Sequence, residues 1–327
     1  MKKITLSLLG VLLLWSCAKE ESTLEESAKP VDFGLAKREC MSAELFKQQM
    51  LENPDMAAKQ EGLEELTKKF IENNQARLVN GIIEIPVHVN VLYNTAAQNV
   101  SNAQIQSQID VLNEDFSSTN SDYSSIPSVF QGVTSGDVTV RFVWDPSTGT
   151  TRKSTTKKNW RTNDDMKRSN KGGIDATNCA GKMNIWVCVL ANNILGYAQF
   201  PGGACATDGV VIHTNAFGRG NYSLFTAFNK GRTATHEVGH WLNLRHIWGD
   251  ATCGNDFVAD TPVHNASNGG CPTFPHYSTC SGTPIEMTMN YMDYTNDECM
   301  YMFTAGQKSR MLATFAAGAP RNAFAQP

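Results

Sequence analysis

From Ile82 to Tyr93 apolar and polar positions alternate and β-branched residues dominate, which predicts a first strand. Ser101 and Gln104, spaced as a capping box, open a helix whose apolar stripe is Ile105, Ile109, Leu112 and Phe116. Val138 to Trp144 predicts another strand, Met183 to Leu190 a buried one, and Val210 to His213 one more. Tyr197 to Phe200, followed by the Gly202-Gly203 turn, predicts an edge strand along which an extended peptide could pair. A further helix begins between Thr226 and Thr233. Residues 152–171 carry eight Lys and Arg broken up by acids and Asn, the pattern of a solvated loop. Strands interleaved with helices make this an α/β chain.

The N-terminal part has a different pattern. Lys2-Lys3 and the apolar run from Ile4 to Trp15 read as a signal peptide over residues 1–16, too short for a membrane span. Leu14-Trp15-Ser16-Cys17 resembles a bacterial lipobox, whose cleavage leaves Cys17 to carry lipid; plain secretion is the alternative. Lys19-Glu20-Glu21 resembles an acidic surface-export tag, or is simply solvated linker. Residues 17–77, rich in Glu, Lys and Gln, form a linker and pro-segment with short helical patterns at Ala43 to Leu51 and Glu61 to Phe70. They hold too few apolar residues for a core of their own. Residues 78–327 remain as one large domain: the chain is 327 residues long and 41% hydrophobic, enough for a substantial core. A net charge of −4 gives no pull toward nucleic acid, and the only membrane contact expected is the lipid anchor at Cys17.

The chemistry is concentrated in His236-Glu237-Val238-Gly239-His240, followed by His246. On a helix His236 and His240 project from one face, one turn apart, and Glu237 is left free to act on water. His246 lies six residues on, so the chain must leave the helix and turn back to bring it in. Three His with an open fourth position describe a catalytic zinc site rather than a closed structural one. Seven His occur in the whole chain, and three of them fall within eleven residues. His88 and His213 read as strand or rim residues.

This motif, with Asn290-Tyr291-Met292-Asp293-Tyr294 downstream, resembles the metzincin zinc proteases and their Met-turn. Asn243 stands where the motif has glycine; Asn is the residue that best tolerates the left-handed conformation needed there. Ile85-Pro86-Val87-His88-Val89, Asn184-Ile185-Trp186-Val187-Cys188, the stretch Leu195 to Gly203, Ile247-Trp248-Gly249-Asp250 and Met302 to Gln307 are similar to the pappalysin family, in particular its bacterial, ulilysin-like branch. The resemblance implies an α/β (α+β) zincin: a twisted mixed sheet with an edge strand, two long helices above it, and a loop-rich C-terminal subdomain from about residue 247. It implies Met292 as the hydrophobic floor of the site and Tyr294 as a phenol turned toward the reaction intermediate. Cys40, in Arg38-Glu39-Cys40, resembles the family's pro-segment cysteine, and its thiolate would fill the open metal position. An incidental cysteine is the plain alternative. A cut beside Arg77 would release the segment.

Cys253, Cys271, Cys280 and Cys299 read as a disulfide framework in an exported protein, with three pairings open by spacing; a second zinc is the alternative use. The resemblance implies Cys253–Cys280 and Cys271–Cys299. Cys188 reads as a buried thiol, with a Cys179–Cys205 bond an option. Asp250, Asp256, Asp260 and Thr261 form an oxygen-rich loop of the kind that holds calcium, which the resemblance also implies; ordinary turn chemistry is the other account. Asp297 and Glu298 stand where the family places an acid that favours Arg or Lys just after the scissile bond, and Glu298 is the better positional match. The expected activity is that of an exported zinc endopeptidase made as a zymogen, acting on proteins or peptides. Its rivals are a catalytically silent surface binding or adhesin module and a hydrolase of non-peptide amides.

Overall fold

The computed structural model describes residues 38–73 and 81–325. The signal peptide, Cys17, Lys19-Glu20-Glu21 and Arg77 lie outside the described residues. Two helices open the chain, α1 (Ser42–Glu52) and α2 (Pro54–Glu72). The body follows: β1 (Ile83–Tyr93), α3 (Asn102–Ser117), β2 (Val140–Trp144), β3 (Thr150–Ser154), β4 (Met183–Cys188), β5 (Gly196–Ala198), β6 (Val210–His213), α4 (Arg232–Trp241) and α5 (Ala305–Ala313).

The sheet runs β2-β1-β4-β6-β5, with β3 pairing the C-terminal half of β1 beyond β2. Every pairing is parallel except β5 on β6, so the sheet is mixed and its antiparallel member is the edge. Parallel strands covered on both faces should be apolar almost throughout, and all six residues of β4 are buried. On one face α3 lays Ile105, Ile109, Leu112 and Phe116 into the main core together with Val238 and Trp241 of α4. Ser101 caps α3 by accepting from the Gln104 backbone at 3.1 Å. The reciprocal half of the expected box is not made, because the Gln104 amide reaches Phe217 O instead.

Two expectations need correction. Residues 152–171 are not simply a solvated loop: Thr150–Ser154 is a strand, and Lys167 is buried, donating to Thr207 O at 2.8 Å and pairing with Asp164 at 2.9 Å. Charge density along the chain does not register that β1 has a free edge needing backbone partners. The second of the two helices above the sheet is also short. Gly231 at φ 76° and Asn243 at φ 71° bracket α4 and hold it to ten residues.

From about residue 247 regular structure is sparse until α5. Cys253–Cys280 and Cys271–Cys299 cross-link this region, and Cys179–Cys205 ties the loop before β4 to the one after β5. Cys188 is a buried free thiol. Thr304 and Gln307 form a complete capping box on α5, and the Gln307 and Asn290 side chains exchange two hydrogen bonds of 2.9 Å. The helices α1 and α2 do not form a core of their own. Phe46 and Met56 pack on Phe200, and Phe70 joins the main core.

Candidate active site

The helix α4 carries His236 and His240 on one face, their Nε2 atoms 3.2 Å apart. After Trp241 the left-handed Asn243 reverses the chain, and Leu244 N–H closes the turn on Gly239 O at 2.9 Å. The turn brings His246 back, with its Nε2 3.1 Å from that of His240. Each ring is oriented by a bond at Nδ1: His236 to Tyr291 O at 2.7 Å, His240 to Leu244 O at 2.8 Å, and His246 to the Asp250 carboxylate. Burial, then the neighbouring rings, push His236 and His240 well below the usual histidine range, so both are neutral. Burial is the largest single influence on Asp250 and opposes its charge, but the bond from His246 and the surrounding positive groups, Arg245 among them, together hold its carboxyl below the usual range.

Met292 is fully buried beneath this turn of helix. A Cβ on Gly239 would stand 2.5 Å from Met292 Sδ, so glycine at the second variable position of the zinc motif lets the floor close. Gly196 of β5 plays the same part for Glu237, whose Cγ would lie 2.9 Å from an added Cβ. The edge strand therefore passes directly beside the carboxylate.

Residues 38–42 run along this edge. Leu195 N–H donates to Glu39 O at 2.9 Å and Met41 N–H to Gly196 O at 3.3 Å, giving a parallel bridge of Cys40 to Gly196. Cys40 Sγ and the ligand atoms of the three His lie within 4.8 Å of one another. Ser42 Oγ donates to Glu237 Oε2 at 2.8 Å and accepts from Ala198 N–H, also at 2.8 Å. Burial raises Glu237 to about 7, against the lowering bonds from Ser42 and Cys40. Burial, then Glu237, raise the Cys40 thiol well above its ordinary value. Tyr294 OH donates to Cys40 O at 3.1 Å, and burial keeps the phenol protonated.

Arg38, 1% exposed, enters a pocket beside this groove. Its guanidinium meets Asp297 Oδ1 at 2.6 Å, Thr233 Oγ1 at 2.9 Å and the Phe228 ring at 5.0 Å. The expectation for Glu298 is thereby corrected: Glu298 is exposed, and the buried acid of the pocket is Asp297. Adjacent residues in a tight turn point to different sides, and position in the sequence does not say which one faces inward. Ser42 and Asp297 were the members that sequence reasoning missed or ranked second. The one available signal was their closeness to Cys40 and to the Met-turn.

The residues expected to hold calcium accept from different protein donors. Asp256 accepts from Thr261 Oγ1 at 2.9 Å and from Val258 N–H, whereas Asp260 accepts from Thr304 Oγ1 and Gly306 N–H at the start of α5. Both carboxylates are turned to protein donors.

A family model described as pregnancy-associated plasma protein-A matches residues 175–316. An extracellular metalloprotease of Pyricularia oryzae is 33% identical over 242 residues, 72% of this chain and 75% of that one. The chain belongs to the pappalysin family. An extracellular metalloprotease of Sordaria macrospora is 39% identical over 140 residues, and there the match spans about half (48%) of the relative's length. Among solved structures, mature mirolysin of Tannerella forsythia in complex with a cleaved peptide is 47% identical, with a TM-score of 0.71 over 75% of this chain and 96% of that one. A promirolysin mutant of the same organism is 43% identical, with a TM-score of 0.79 over 88% of this chain and 97% of that one.

This pappalysin is accordingly a zinc metalloprotease, and its residues fit the metal. Nδ1–H bonds to two carbonyls and a carboxylate leave the Nε2 lone pairs converging, that of His240 3.2 Å from His236 and 3.1 Å from His246. Without a cation such lone pairs would repel; a tetrahedral zinc with Zn–N of about 2.0–2.1 Å sets its ligands about 3.3 Å apart.

Proposed function

We propose that the chain is a latent zinc endopeptidase in which His236, His240 and His246 hold the metal, Glu237 is the general base and Cys40 fills the open coordination position. The observation that carries this reading is the path of residues 38–42, which occupy the edge-strand groove, the metal cluster and the Asp297 pocket together. The longer match to promirolysin than to the mature form supports the zymogen reading.

The zinc supplies Lewis acidity to the scissile carbonyl and to the attacking water. Glu237, released from Ser42, takes the proton of that water and passes it to the leaving amine. Tyr294, which donates to Cys40 O in the latent chain, would donate to the substrate oxygen as negative charge develops there. The edge strand β5 aligns the peptide. The pro-segment is parallel to β5, so a substrate paired antiparallel would cross the same groove in the opposite direction. With that direction the Arg38 pocket receives the residue just after the scissile bond. The buried Asp297 carboxylate then favours Arg or Lys.

The same preference would place self-processing on the N-terminal side of Arg77, and N-terminal sequencing of the matured protein tests it. Export is supported by the relatives named extracellular metalloproteases; lipid attachment at Cys17 rests on the sequence alone and is read by mass. Calcium is expected to leave the thermal midpoint unchanged if Asp256, Asp260 and Thr261 serve only as turn and cap residues.

The decisive experiment is Glu237→Ala. It should keep stoichiometric zinc and lose peptide turnover by about a thousandfold or more. Retained proteolysis by that variant would sink the mechanism. A wild-type protein that holds zinc and cleaves nothing would instead be the silent binding module.

A further inference from the structure

Removal of the pro-segment uncovers more than the metal and the Asp297 pocket. The Phe46 ring of α1 lies 4.4 Å from the ring of Phe200 and 4.5 Å from the Arg245 guanidinium, which also stands over Phe200 at 5.1 Å. Phe200 is itself 5.3 Å from the His240 ring and follows β5 by two residues. Arg245 Nε is buried without a hydrogen-bond partner, and the charged group that Arg245 pairs with is Glu64 of α2, at 3.9 Å. Glu64 is committed elsewhere, to a two-bond contact with Arg310. A ring, not a carboxylate, is therefore what covers Arg245.

We propose that Phe200 and Arg245 form a second specificity subsite, for an aromatic side chain of the substrate two or three residues before the scissile bond. This rests on the endopeptidase reading above. The pro-segment passes in order from Asp297 (Arg38) over the metal cluster (Cys40) and Ala198 (Ser42) to Phe200 (Phe46). A substrate of opposite direction, with its basic residue at Asp297, brings its N-terminal side to Phe200. Phe200 lies four residues beyond the Cys40–Gly196 bridge at the metal cluster, but its ring turns back to 5.3 Å from the His240 ring, which at about 3.3 Å per extended residue sets it against the second or third residue before the scissile bond. A ring placed there, as Phe46 is, packs at a tilt on Phe200 while the guanidinium stands against both rings, a pairing that an aliphatic chain cannot match.

The test uses the full chain after it has processed itself, and peptides that share Arg after the scissile bond. They differ only at the second and third residues before it, which are Phe, Leu, Glu or Ala. The expected result is a kcat/KM about tenfold higher with Phe than with Ala, a gain that shrinks to about twofold in Arg245→Met and in Phe200→Leu. Equal cleavage of the Phe, Leu and Ala peptides overturns the subsite. So does a preference for Glu, which would make Arg245 an ion-pair partner, or a Phe preference that survives in both variants. If either variant fails to fold, the ranking of the four peptides by the wild-type chain decides alone. No cleavage of any peptide, with zinc bound, overturns the endopeptidase reading instead, so the two failures are distinct.

Discussion

The two walls of the cleft are built by different physics. The wall before His246 is a mixed sheet, parallel but for its edge strand β5, with α3 and α4 packed on it, and its residues are held by a continuous apolar core. The wall after it carries Met292, Tyr294 and Asp297 on a path with little regular structure. It shares that core through Met289, Tyr291, Met292 and Tyr294, and is braced besides by two disulfides, the Asn290–Gln307 pair and charged contacts such as Arg38 with Asp297. A core spreads its stabilisation over many weak contacts, whereas the added braces of the second wall are few, strong and separate. Substitution in the core should be tolerated gradually, whereas each brace of the second wall should be lost as a unit.

The largest expected effect is in the second wall. Asp297→Ala leaves Arg38 buried and unpaired, at a cost to pro-segment docking of about 3–5 kcal/mol. The full chain should become active without processing, read by peptide cleavage against chelator controls, and should lose any preference for Arg or Lys. Cys253→Ala with Cys280→Ala opens a 27-residue separation, which chain entropy values at about 3.5 kcal/mol. Denaturant unfolding should show it, and an unchanged midpoint would mean that the loop is held by its polar contacts instead. In the first wall Ile185→Ala, at a fully buried position, should cost about 3 kcal/mol with the pH–rate profile unmoved. Met292→Leu should cost under about 1.5 kcal/mol, since the volume is nearly kept and Gly239 leaves little room for rearrangement.

The smallest effect is pH-dependent and touches the distal contact of α2. Burial would raise Glu64, but the bonds and charge of Arg310 outweigh it and lower its pKa. A carboxyl lowered in the docked state strengthens docking fully above its ordinary value of 4.5, and that strength is lost as pH falls through the lowered value. Limited proteolysis of α2 should therefore accelerate below that window. Glu64→Gln should flatten the dependence; an identical pH response in that variant would show that Glu64 does not carry it.

The same division governs what could be read from the chain. The strands β1 and β4 were legible within a residue or two, β1 from its alternation of apolar and polar positions and β4 from its nearly all-apolar composition. The strand β3 was not, because Thr-Thr-Arg-Lys-Ser owes its conformation to the free edge of β1 rather than to its own side chains. At the site His236, His240, Glu237 and His246 were legible from spacing, and Cys40 from its neighbours and its chemistry. Ser42 on Glu237, and Glu64 on Arg310, join residues about 195 and 246 positions apart, and no local pattern announces such contacts.

By itself the sequence determined the local chemistry: a helix turn with two imidazoles on one face, an Asn that ends the helix, and cysteines in number and spacing for a staple. These follow from 3.6-residue periodicity and from backbone preferences, which act over a few residues. Tertiary structure alone decided which of Asp297 and Glu298 lines the pocket, why Gly239 and Gly196 must lack a side chain, and that Asp256 and Asp260 are turned to different protein donors. Each of those depends on two distant segments meeting at a few ångströms, and close packing, not spacing along the chain, sets that meeting.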